Sequence, residues 1–254
     1  MSFPFTIQIG GNKILWHVLL EAIGFIAGYR YFVYLRAKQS DTIDNENRTW
    51  ILIGATFGAL LGSRLIGGLE NPPGMLASKN ILAHFYENKT IVGGLLGGLF
   101  GVEVIKKIIG EKQKSGDLFT YPIILGMMIG RIGCFSMGVY EETYGTATML
   151  PWGMNLGDGV LRHPVALYEI FFLGCTWIFL VMLENKFGFT PGTKFKLFLI
   201  FYLFFRLMLD FIKPNFTFSF GLSTIQLACI AGLIYYSPFI FNPKKLLLTK
   251  PKYT

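Results

Sequence analysis

Eight ionisable side chains stand inside long apolar runs of this chain: Arg30, Arg64, Arg131 and Arg206, with Glu21, Glu103, Glu169 and Asp210. A charge at mid-bilayer costs about 3 kcal/mol or more, so by default it marks a functional site. Some of the eight have plain explanations. Arg30 is close enough to the end of its run to extend its head to water. Glu103 precedes Lys106 and Lys107 by three and four residues, the spacing of a helix-end ion pair. Glu21 follows His17 by four, which suits either a core hydrogen bond or a place in a site. Arg206, Asp210 and Lys213 share one helix face, as a structural ion pair or as a cationic face lining a polar cavity. Arg131 lies in Gly130-Arg131-Ile132-Gly133-Cys134-Phe135, where small residues let a backbone or ligand approach closely. Two guanidiniums from different helices suit a phosphate, because the planar fork binds it through paired hydrogen bonds.

These residues need a membrane scaffold. Of 254 residues, 52% are hydrophobic and 15% charged, against about 25% charged in ordinary soluble domains. That composition excludes a disordered chain, a disulfide scaffold and most soluble enzymes. Seven runs reach the roughly 20 apolar residues that a spanning helix needs: 14–35, 50–69, 91–109, 119–137, 164–183, 195–212 and 222–241. They are continuously apolar, without the alternation of a β-barrel. Basic residues then sort by side. Arg36, Lys38, Arg48, Lys106, Lys107, Lys112, Lys114, Lys186, Lys194, Lys196, Lys244, Lys245, Lys250 and Lys252 fall in or beside one alternating set of segments. Only Lys13, Lys79, Lys89, Arg162 and Lys213 fall in the other. The expected fold is all-α: one integral membrane domain over residues 1–254, with about seven transmembrane helices, the N-terminus outside and the C-terminus cytoplasmic. The net charge of +8 is thus a topology signal and argues against nucleic-acid binding. Residues 1–11 lack a basic leader region, so the first run reads as a permanent span.

Glycines at 54, 58 and 62, and at 93, 97 and 101, repeat every fourth residue, as closely packed helices require. The three cysteines, Cys134, Cys175 and Cys229, sit in apolar surroundings and read as small hydrophobes. There is no metal-ligand cluster and no phosphate-binding loop, so neither a metal nor another cofactor is expected. The external loop at about 138–163 leads into His163 and Pro164, which suits the first turn of a helix.

In order and spacing, Gly62-Ser63-Arg64-Leu65, the Arg131 segment, Tyr144-Gly145, Leu150-Pro151-Trp152-Gly153, His163-Pro164, Leu167-Tyr168-Glu169, Arg206 with Asp210, and Gly221 through Gln226 resemble the prolipoprotein diacylglyceryl transferases of bacteria. The resemblance runs from about Gly54 to Gln226. It implies a multi-pass enzyme of the bacterial cytoplasmic (inner) membrane. Such enzymes move a diacylglyceryl group from phosphatidylglycerol to the lipobox cysteine thiol of a preprolipoprotein, forming a thioether. It implies catalytic roles for Arg131, Arg206, Asp210 and His163. It implies substrate-binding roles for Arg64, Gly93, Gly94, Cys134, Gly145, Tyr168 and Glu169. Arg131 and Arg206 would hold the anionic headgroup and stabilise the departing glycerol phosphate.

The chain departs from the pattern at several points. Val92 stands where the family usually has His, Cys134 where Asn is common, Asp210 for Glu and Lys213 for Arg. The segment after Gly138 is about two residues longer. A thiol attacks as thiolate, and Val92 cannot take its proton. Three consequences stay open: the base is dispensable, His163 or Glu169 replaces it, or the activity has changed. A homologue that binds anionic lipid without transferring, and a small transporter, are the competing classes. Intramembrane charge allows the transporter, but no inverted repeat supports it.

Overall fold

The structure, a computed structural model, describes residues 3–39 and 41–247. Helices form over all seven expected runs: α1 (Trp16–Lys38), α2 (Asn45–Gly68), α5 (Ile91–Ile109), α6 (Asp117–Met137), α7 (Val165–Lys186), α8 (Thr193–Leu209) and α9 (Thr224–Ile240). Two short helices, α3 (Pro72–Ala77) and α4 (Ile81–Glu87), fill the segment between α2 and α5. Among the described residues, four helices, α1, α2, α6 and α7, are long and apolar enough to cross a membrane. α9 is apolar but has 17 residues, about 26 Å at 1.5 Å per residue against a hydrocarbon core of about 30 Å. α8 is equally short, and α5 carries Glu103, Lys106 and Lys107 in its second half.

Local signals explain the boundaries. Asp44, Thr90 and Ser223 cap α2, α5 and α9 by accepting from backbone N–H groups of the first turn. Gly110 ends α5 in a left-handed conformation, φ 73°. α8 stops at Leu209 and passes into a 3₁₀ turn, Asp210–Ile212, so Arg206 lies in the helix and Asp210 just beyond it. α1 starts at Trp16 rather than Ile14, because β1 (Thr6–Ile9) and β2 (Asn12–Leu15) pair as an antiparallel hairpin with Thr6 opposite Leu15. A second small hairpin, β3 (Met154–Asn155) with β4 (Leu161–Arg162), lies in the loop after α6.

α1 packs along α6 and α2 along α5, each pair through glycines. A Cβ on Gly97 would lie 2.8 Å from the Gly62 Cα, so these backbones touch and only glycine fits. The apolar core centres on Phe198, Leu199, Tyr202 and Leu203 of α8, with Ile124, Leu173, Leu180 and Ile225 around them. Phe25, Phe57, Phe100, Phe171 and Ile234 instead point outward, the arrangement expected of helices solvated by lipid.

The loops gather at two ends. At one, Arg48 is buried against the Asp41 carboxylate and donates to the Ser115 carbonyl. Asn47 reaches Glu111 at 3.1 Å, Asp117 accepts from Gly192 N–H at 2.6 Å, and Thr190 N–H donates to Leu246. At the other end, Phe5 N–H donates to Ser136, Thr90 N–H to Ser63 and Thr146 N–H to Ile212, and Thr224 donates to Leu69. Lys250 and Lys252, part of the basic set, lie outside the described residues.

Candidate functional site

Glu169 is the hub of the charged interior. It lies one turn into α7 and is fully buried. Its Oε1 is 2.9 Å from Arg131 Nε on α6 and accepts from the Tyr202 hydroxyl on α8 at 2.7 Å. Its Oε2 is 3.9 Å from Arg206 Nη1. The two arginines expected to act together are thus brought together, by a carboxylate between them. Arg206 Nη2 also faces Asp210 Oδ1 at 3.5 Å, and Asp210 Oδ2 accepts from the Ser223 hydroxyl. Ser223 belongs to a capping box with Gln226, whose side chain also donates to the Leu207 carbonyl at 3.3 Å. The α9 N-terminus is thereby locked onto the end of α8, fixing Asp210 and through it Arg206.

Arg206 and Asp210 form an ion pair within one chain segment, and Arg206 also pairs across helices with Glu169 of α7. Lys213 does not join it. Its Nζ turns to Glu70 at 3.9 Å. Burial pushes Lys213 below its ordinary value, helped by the Arg206 charge. Burial also raises the Glu70 carboxyl, with the Lys213 charge opposing.

The other expected residues fall around this centre. His163 Nδ1 and Trp152 Nε1 both meet the Tyr168 hydroxyl, at 3.1 and 2.9 Å. Gly145 lies against the His163 backbone, where a Cβ would be 2.8 Å from the carbonyl oxygen. Its glycine is thus a packing requirement that seats the segment carrying His163. Arg64 is engaged elsewhere: it donates to the Tyr86 carbonyl and stacks on the Tyr86 ring at 4.9 Å. Gly93 packs on Gly62 in the α2–α5 contact, and Gly94 lies beside Ser63. Val92 is buried in the apolar core. Of the two expected substitutes for a base, Glu169 is held between two guanidiniums, whereas His163 keeps a neutral hydrogen-bond partner.

Arg30 is exposed, and Glu103 meets Lys106 at 3.8 Å, the pairing their spacing suggests. The cysteines divide: Cys229 is buried, Cys175 exposed and Cys134 intermediate. Cys134 is more than a small hydrophobe, since its Sγ accepts from Arg131 Nη1 at 3.4 Å. No metal-ligand spacing is visible along the chain, but the folded chain brings distant donors together. The fold places His17, Cys134 and Glu141 with their donor atoms within 4.8 Å of one another. Sequence reasoning missed this group because its members are far apart in the chain; the His17–Glu21 spacing was its only visible trace. Tyr202, Ser223 and Gln226 were missed as partners of the charged centre, since hydroxyls and amides are unremarkable in apolar helices.

Among the described residues, then, an all-helical protein with several membrane-length helices encloses two arginines on one buried carboxylate. A match to the prolipoprotein diacylglyceryl transferase family covers residues 4–241, and the chain belongs to that family. Similar proteins include phosphatidylglycerol–prolipoprotein diacylglyceryl transferases of three bacteria. That of Actinobacillus pleuropneumoniae serotype 3 is 31% identical, over 84% of this chain and 82% of its own. That of a Wolbachia pipientis strain from Culex pipiens is 29% identical, over 96% and 98%. That of Campylobacter hominis is 28% identical, over 91% and 87%.

Proposed function

We propose that this protein transfers a diacylglyceryl group from phosphatidylglycerol to the lipobox cysteine of a preprolipoprotein. The observation that carries the reading is the convergence of Arg131 and Arg206 on Glu169 in a member of this family. Each guanidinium has five N–H donors in a fixed fork, and Glu169 and Asp210 engage only part of them. The remaining donors suit a phosphodiester. In the transfer, the thiolate sulfur attacks the glyceryl carbon, the carbon–oxygen bond to phosphate breaks, and glycerol phosphate leaves. Negative charge grows on the leaving oxygen, where preorganised guanidiniums stabilise it without rearranging. Glu169 and Asp210 do the preorganising: they hold the guanidiniums in place before lipid arrives. His163, Tyr168 and Trp152 form a separate polar group suited to the acceptor peptide or the glycerol head.

The same proposal includes seven spans over one domain, with the N-terminus outside, residues 138–163 external and the C-terminus in the cytoplasm of a bacterium. The clustering of the basic segments at one end supports it. Reporter fusions at Gln113 and Asp158 test it, since they should report opposite sides.

One observation favours a second reading, a lipid-binding homologue without transfer: Val92, with 1% exposure, offers no base. Purified protein, phosphatidylglycerol and a lipobox peptide separate the two. A diacylglyceryl mass increase on the cysteine supports transfer. Lipid binding without the increase, with a typical relative active alongside, supports the second reading.

A further inference from the structure

The group at His17, Cys134 and Glu141 lies where α1, the end of α6 and the following loop meet. His17 Nδ1 faces Glu141 Oε2 at 3.2 Å. Both atoms are sealed from solvent and neither makes a hydrogen bond. The second ring nitrogen of His17, Nε2, lies 3.5 Å from the Glu21 carboxylate, which Lys89 Nζ holds at 2.7 Å. Arg131 Nη1 faces the Cys134 sulfur.

We propose that His17, Cys134 and Glu141 form a binding site for a divalent transition metal of the zinc type, with one coordination position open. Nitrogen, thiolate and carboxylate are the donors zinc selects. Tetrahedral ligands at about 2.0–2.1 Å from zinc stand ~3.3 Å apart, and a sulfur at 2.3 Å stands ~3.6 Å from either. The 3.2 Å between His17 and Glu141 already has this value. The limit of 4.8 Å on the whole set leaves only a small side-chain rotation to complete it. The surroundings fit as well. A metal-bound histidine ordinarily gives its other N–H to a carboxylate, which fixes the ring and its tautomer; Glu21 is placed to accept it and Lys89 steadies Glu21. Arg131 Nη1 donates to the Cys134 sulfur at 3.4 Å, which steadies the side chain's position. His17 and Glu141 face each other at ion-pair distance without an aligned hydrogen bond, the arrangement that a bridging cation would replace.

Three protein ligands leave the fourth position of a tetrahedral ion free, as in catalytic zinc sites. On the transferase reading, that position takes the acceptor cysteine as a thiolate. The thiol proton is released, sulfur bonds to the glyceryl carbon, and the carbon–oxygen bond breaks. Glycerol phosphate leaves with the electron pair and takes up a proton. No electron transfer is involved. Thiol activation of this kind needs no proton acceptor at Val92. Only this role rests on the transferase reading; metal binding stands on the geometry.

The test uses the full chain in detergent, purified without a histidine tag or chelator. The protein is equilibrated with zinc, freed of unbound ion and analysed for metal by mass spectrometry. Wild type and Cys175→Ser should retain close to one zinc per chain. His17→Ala, Cys134→Asn and Glu141→Gln should lose most of it while still melting cooperatively. Cobalt loading should give a thiolate-to-cobalt absorption band that Cys134→Asn abolishes. Equal zinc in wild type and a folded Cys134→Asn, or no retained zinc in wild type, overturns the site. Metal binding without diacylglyceryl transfer would leave the site standing and remove the transferase reading. Undiminished transfer by metal-free protein would remove the metal's role alone.

Discussion

Replacing Glu169 with Gln isolates what the buried carboxylate does, because shape is kept and only its charge is lost. Its contacts at 2.9 Å to Arg131 and 3.9 Å to Arg206 correspond to about 6 and 4 kcal/mol at an effective dielectric of 20. Much of that offsets desolvation in the native protein. Once the acid is gone, the arginines stay buried with less compensation, a change that costs about 3–5 kcal/mol. At about 2–4 °C per kcal/mol for a chain near this size, Glu169→Gln should melt ~6–20 °C lower in detergent. Anionic lipid should restore part of the loss, since a phosphate can pair with the released guanidiniums. Zwitterionic lipid should restore little. The assay is thermal unfolding of wild type and variant in zwitterionic detergent, with and without phosphatidylglycerol. An unchanged melting point, or equal stabilisation of both proteins by phosphatidylglycerol, would refute the claim that Glu169 holds the two arginines in place for an anion.

Three further outcomes are expected. Tyr202→Phe removes the 2.7 Å hydrogen bond to Glu169 and should cost about 1.5–3 kcal/mol, the range for a bond to a charged group, read as a lower melting point with unchanged oligomeric state. Gly97→Ala forces apart α2 and α5 and should cost about 1–3 kcal/mol by overpacking; Gly174→Ala, where a Cβ meets only Met128 at 3.8 Å, should melt as wild type. At Asp41, burial works to raise the carboxyl, but hydrogen bonds from Arg48 and Ile43 N–H and the arginine charges outweigh it and hold the group below its ordinary value. A carboxyl lowered in the folded state stabilises above about pH 4 and loses that contribution as pH falls through its lowered value. Unfolding curves across acidic pH should therefore show a limb that Asp41→Asn lacks.

The helical runs were legible because lipid-solvated helices are apolar nearly all round, which composition alone reveals. Their ends were less so. Ile14 and Leu15 are apolar enough to extend α1, yet the Gly10-Gly11 turn folds them into a hairpin. α3 and α4 escaped because six- and seven-residue helices capped by Asn71 and Asn80 leave little periodicity. Within the site, Arg131, Arg206, Glu169 and Asp210 stood out as charges in apolar runs, since their cost demands a partner. Which charge meets which was not legible. Arg64 pairs with a backbone carbonyl of α4, a helix that was not foreseen, and Lys213 with Glu70 rather than along its own face. Cys134 looked like an apolar filler because its histidine and carboxylate neighbours come from α1 and the loop after α6.

The central claim is that Arg131 and Arg206 together stabilise the departing glycerol phosphate. The most direct measurement is the rate of diacylglyceryl transfer from phosphatidylglycerol to a lipobox peptide, by mass spectrometry, for wild type, Arg131→Lys and Arg206→Lys. Lysine keeps the charge but loses the fork, so each variant should be slower by about 10²–10³, the loss typical of one oxyanion-stabilising donor, with the peptide's KM little changed. Transfer within a few-fold of wild type in either folded variant would contradict the account.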